Sequence, residues 1–123
     1  LDGVASGATR KAMPTRAIGL LLDPGAKVAL PYASAKPVDA AKFAGFVTVP
    51  VTTAGDYLVS LSSEGWIEAI QDGAPLTSTA HTGDPDCPGL RKVVRFTLGA
   101  KPLTLQIANA PRGAVVLAIT PAP

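Results

Sequence analysis

Proline and glycine punctuate this chain at short intervals from one end to the other, and that spacing decides what it can fold into. Twelve of each are distributed over 123 residues. A proline inside a helix removes a backbone donor and clashes with the turn before it, and glycine weakens regular structure by its entropy, so helices of ordinary length would be broken. The intervals that remain are strand-sized. They predict strands over Ala17–Leu22, Lys27–Tyr32, Phe43–Val51, Asp56–Ser62, Trp66–Gln71, Leu76–His81, Leu90–Leu98, Lys101–Ala108 and Ala114–Thr120. Nine short strands at this spacing are the signature of a sandwich or barrel.

Period-two alternation supports the assignment. Tyr57, Val59 and Leu61 share one face of their strand, as do Val94, Phe96 and Leu98, then Leu103, Leu105 and Ile107, then Val115, Leu117 and Ile119. Polar residues occupy the alternate positions Ser60, Arg95, Thr97, Thr104 and Gln106, the pattern of antiparallel sheets with one face in water. The expected fold is therefore an all-β antiparallel sandwich, jelly-roll or immunoglobulin-like, of about nine strands. Residues 17–123 form the single domain, and residues 1–16, which show neither period, form an N-terminal arm or edge segment. A helical turn is the reading for residues 38–43.

Composition narrows the function classes. Hydrophobic residues make up 47% and charged residues 16%, a balance that suits a compact core and excludes a solvated disordered chain. The net charge of +2 is too weak for a nucleic-acid footprint unless the basic groups share a face. Arg91 and Arg95 alternate with Lys92, so they read as solvated strand residues, and no nucleic-acid partner is expected. No apolar run reaches the 18 or more residues of a membrane span. The first residue is Leu1, as a removed signal peptide or a trimmed longer chain would leave it. With the Thr, Ser, Ala, Gly and Pro-rich texture, this leans towards a periplasmic or secreted protein.

Two constellations carry chemistry. Asp72 and Gly73 form a two-residue turn signal between extended runs. Pairing Gln71 with Ala74 places Glu68 opposite Thr77 and Trp66 opposite Thr79, with His81 on the same face and Ile67, Ala69, Leu76 and Ala80 on the other. Trp66, Glu68, Thr77, Thr79 and His81 would then present an aromatic platform edged with polar groups, which suits a carbohydrate or another small polar ligand. The bland alternative is that Trp66 fills the core.

The second constellation is the stretch AHTGDPDCPG, which holds the chain's one histidine and one cysteine. His81, Asp84, Asp86 and Cys87 could serve copper or zinc, since thiolate and imidazole favour those ions over calcium or magnesium. The spacing matches no strong metal motif, and no cofactor is required by it. Two aspartates fall short of a calcium loop. A thiol hydrolase would need an oriented base and a third residue to hold it, so no enzyme is expected. The overall expectation is a non-enzymatic binding or accessory module for a small molecule or glycan, with metal binding and a structural domain facing a protein partner as the alternatives.

Overall fold

The structure, a computed structural model, describes residues 2–82 and 92–122, with Asp2 and residues 80–82 described by backbone alone. Among the described residues there are twelve strands: β1 (Asp2–Ala5), β2 (Ala8–Thr9), β3 (Ile18–Leu21), β4 (Asp23–Pro24), β5 (Phe43–Val49), β6 (Gly55–Leu61), β7 (Trp66–Gln71), β8 (Ala74–Pro75), β9 (Ala80–Thr82), β10 (Lys92–Leu98), β11 (Leu103–Ala110) and β12 (Ala114–Pro121). They form two packed sheets. One runs β1-β3-β12-β6-β10-β9 and the other β2-β5-β11-β7-β8, with β4 also paired to β5. The protein is an all-β sandwich, as the alternation requires.

The alternating apolar positions face one another across the gap between the sheets. Val59 and Leu61, Val94, Phe96 and Leu98, and Leu117 and Ile119 from the first sheet meet Val47, Val49, Leu103, Leu105 and Ile107 from the second, all buried. Each such side chain contributes about 1.5–3 kcal/mol by leaving water. The sheets are mixed rather than purely antiparallel, because β1 runs parallel to β3 and β2 parallel to β5. The N-terminal segment is thus an edge element.

Both edges of the sandwich are closed by chain that switches sheets, the device by which sandwiches turn corners. At one edge the chain passes from β1 to β2 through Ser6 and Gly7, and from β3 to β4 through Leu22. That corner is tight. Phe46 N donates to Ser6 Oγ at 3.2 Å, and a Cβ on Gly45 would meet Ser6 Oγ at 2.8 Å and Leu22 Cδ2 at 2.9 Å, so only glycine fits there without a shift.

At the other edge the chain passes from β8 to β9. The hairpin turn is as expected: Gln71 pairs with Ala74 and Ile70 with Pro75, and Asp72 and Gly73 both adopt positive φ, 54° and 72°, as a type I′ turn demands. The ladder then ends. Leu76 N still donates to Ala69 O at 2.8 Å, but Thr79 N donates to Arg95 O of the other sheet at 2.9 Å. Leu76–His81 is therefore a crossover and not one strand, and Thr79 does not lie opposite Trp66.

Three further expectations are corrected. Residues 27–32 form no strand; Lys27 N and Val28 N both close a turn onto Pro24 O, and the chain then runs across the outside of the second sheet instead of joining its plane. Residues 38–43 contain a turn and no helix. Gln106, expected to face water, is only 1% exposed, because residues 32–39 lie over it as a strap.

Candidate functional site

The strap is held by polar side chains standing on the outer face of β7 and β11. Gln106 offers Tyr32 both halves of its amide: Oε1 accepts from Tyr32 N at 3.0 Å and Nε2 donates to Tyr32 O at 3.3 Å. Glu68, its neighbour across the ladder, accepts from Ala35 N through Oε2 at 3.2 Å. Asn109 Nδ2 donates to Pro37 O at 3.1 Å, and its Oδ1 accepts from Asp39 N at 2.8 Å. These side chains stand in for a missing strand neighbour and satisfy backbone that would otherwise be unpaired.

Asn109 reaches the strap because β11 breaks register there. Its pairing with β5 shifts between Ile107 and Ala110, and Asn109 itself has φ 60°, a left-handed conformation that asparagine tolerates better than most residues. The irregularity re-aims one side chain, as bulges commonly do.

Where the strap meets the edge crossed by residues 76–79, a cleft of about 400 Å³ opens beside Trp66. Its floor is apolar, built from Ile67, Leu76, Val94 and Phe96 between the sheets. Its rim carries Trp66, Thr77 and Lys92, with Glu68 in the wall and Ala33 and Ala35 supplied by the strap. A second hollow of about 370 Å³ shares Trp66 and Lys92 with the first and is lined by Lys36, Lys42, Glu64 and Asn109. The two are neighbouring chambers that share one aromatic residue.

Trp66 carries two cations. Lys36 Nζ lies 4.4 Å from the centroid of its ring and Lys92 Nζ 5.2 Å away, both within the range where an ammonium is attracted to the ring face. Lys92 also donates to Gly65 O at 2.6 Å. Lys92 shares the parity of Val94, Phe96 and Leu98, so it continues their inward face beyond the end of the core and is half-buried. Burial pushes its ammonium below the ordinary lysine range, and the charge of Lys36 pushes it the same way. The reading of Lys92 as a solvated strand residue is corrected accordingly.

The five residues expected to bind ligand are distributed unequally. Trp66, Glu68 and Thr77 line the first chamber together. Glu68 is 9% exposed, so it belongs to the wall beneath the strap and not to an open face. Thr79 is exposed and turns its hydroxyl onto Arg95 O at 3.3 Å. His81 is placed by backbone alone, paired with Val94 in β9.

Of the residues expected to hold a metal, Asp84, Asp86 and Cys87 lie outside the described residues. Among the described residues no three His, Cys, Asp or Glu side chains gather as an ion would require, and no helix is long and apolar enough to cross a membrane.

The lysines and the strap alanines were not anticipated. Alternation alone carries the signal for Lys92, because a charge on the core parity of a strand must be at its end or be paired. Nothing local marks Lys36 or Ala33, whose place depends on the strap folding across a distant sheet. No protein-family model, curated protein or solved structure matches the chain.

Proposed function

We propose that this protein is a non-enzymatic binding module whose ligand is a small polar molecule seated in the cleft beside Trp66. The observation that carries the reading is the cleft itself. Its volume of about 400 Å³ falls within the range of small-molecule sites, about 300–1,000 Å³, and its makeup, apolar walls with a few polar groups at the rim, is the usual composition of such sites. Binding rather than catalysis is favoured by what the polar groups are already doing. Glu68 is committed to the Ala35 amide and Lys92 to the Gly65 carbonyl, so they hold shape and charge.

Within this reading a sugar stacked on Trp66 is the weaker version. A pyranose needs a bare ring face, and here Lys36 and Lys92 both stand over the ring. Polar ligands that meet the lysines at the rim fit better than ones that must displace them.

The test uses Trp66, the one tryptophan of the chain, as its reporter. Its emission is followed while neutral sugars, amino acids and short organic acids are titrated into the parent and into Ala35→Leu, which fills the cleft from the strap. The expected result is a saturable change for one ligand class that Ala35→Leu abolishes without lowering the unfolding midpoint. A change of equal affinity in both proteins, or none with any class, would reject the cleft as the site.

A further inference from the structure

The two chambers that share Trp66 and Lys92 differ in chemistry, and the difference specifies a ligand class. The inner chamber is walled by hydrocarbon from Ile67, Leu76, Val94 and Phe96. The outer chamber brings Lys36, Lys42 and Lys92 together against one carboxylate, that of Glu64. Among the described residues the ion pairs are Arg95–Asp56 and Lys101–Asp72, and none of the three lysines belongs to one. Two of these ammonium groups share one aromatic ring, and Lys92 is half-buried. Lys36 and Lys42 are exposed and Lys92 is half-buried, so like charges are gathered at the mouth of the cleft, and an anion that reaches them gains from more than one.

Resting on the cleft as the binding site, we propose that its ligand is a small organic carboxylate with an apolar body, the body lodged in the inner chamber and the carboxylate passing Trp66 to meet Lys36, Lys42 and Lys92. The chambers meet at Trp66 and Lys92, which line both. An acid whose body fills the inner chamber therefore brings its head to two side chains that also line the outer one. The tail supplies apolar burial, and the head forms charge-assisted hydrogen bonds. Glu68 in the wall of the inner chamber disfavours a second acidic group there, so a monocarboxylate fits and a dicarboxylate does not.

The experiment compares four probes of related size and charge: octanoate, octanol, octylammonium and acetate, with the eight-carbon dicarboxylate suberate as a fifth. Binding is followed by Trp66 emission and by amide chemical shifts of Ala33, Ala35 and Lys92, below the micellar concentration of each probe. Octanoate is expected to bind at least tenfold more tightly than octanol, octylammonium, suberate or acetate. In Lys36→Met/Lys42→Met that preference over octanol should fall to within threefold, while octanol binding is unchanged. Equal binding of octanoate, octanol and octylammonium at these amides would overturn the carboxylate proposal and leave the cleft as a site. Shifts from a neutral sugar but from none of these probes would do the same. Shifts at these amides from no small molecule would overturn both.

Discussion

Replacing Gln106 with leucine isolates the contribution of the strap. The side chain is 1% exposed and clamps both backbone groups of Tyr32, at 3.0 and 3.3 Å. Leucine keeps much of the volume and removes both hydrogen bonds. Each neutral hydrogen bond contributes about 0.5–1.5 kcal/mol net, so the pair is worth about 1–3 kcal/mol. Tyr32 itself is only half-buried, so its freed N–H and C=O can reach water if the strap lifts, and the loss concentrates in the strap. Hydrogen exchange reads this directly. The Tyr32 amide in Gln106→Leu should lose protection by about tenfold or more, since about 1.4 kcal/mol is a factor of ten, and the Ala35 amide should follow. Amides of β11 and β12 should change only as much as the urea midpoint requires. Gln106→Asn keeps the amide chemistry but is one methylene too short, and should behave like leucine. Unchanged protection at Tyr32 in both variants would refute the view that Gln106 holds the strap down.

Three further outcomes follow from the fold. Gly73→Val places a β-branched residue at φ 72°, where an added Cβ meets nothing within 4 Å; the cost is conformational, about 1–2 kcal/mol, and an unchanged urea midpoint would reject the turn. Gly45→Ala crowds Ser6 and Leu22 at the tight corner and should cost about 1–3 kcal/mol by overpacking; a neutral effect on thermal unfolding would show the corner to be loose. Asp56 accepts from Thr97 at 2.6 Å and Arg95 at 2.8 Å, and these hydrogen bonds, Thr97's first, hold its carboxyl below the usual carboxylate range. A depressed folded value means the stabilisation is present at neutral pH and lost as pH falls through it. Asp56→Asn should therefore lower the unfolding midpoint at pH 7 and converge with the parent in strong acid; a pH-independent difference would refute the linkage.

The parts of the molecule legible in the sequence are those governed by local rules. Alternation placed Val94, Phe96 and Leu98 inward because the strand period is two, and Asp72-Gly73 announced a turn because few residues accept positive φ at both positions. The candidate site was legible only in Trp66, Glu68 and Thr77. The hairpin projection failed beyond Leu76 because the chain leaves one sheet for the other, an event that no residue in 76–79 announces. Lys27–Tyr32 reads as a strand in sequence, but Lys27 and Val28 close a turn onto Pro24 and Tyr32 begins the strap, where a distant side chain, that of Gln106, and not a neighbouring backbone satisfies its hydrogen bonds. The strap's position, and with it Lys36 over Trp66, is a consequence of tertiary packing.

Mapping a small-molecule library on the amide spectrum of the protein tests whether a ligand seats in the cleft where the strap meets the edge crossed by residues 76–79. Hits should perturb Ala33, Ala35, Trp66, Thr77 and Lys92 together and leave the opposite corner around Ser6 and Gly45 unmoved. Hits that cluster at any other part of the surface, with these amides silent, would contradict it.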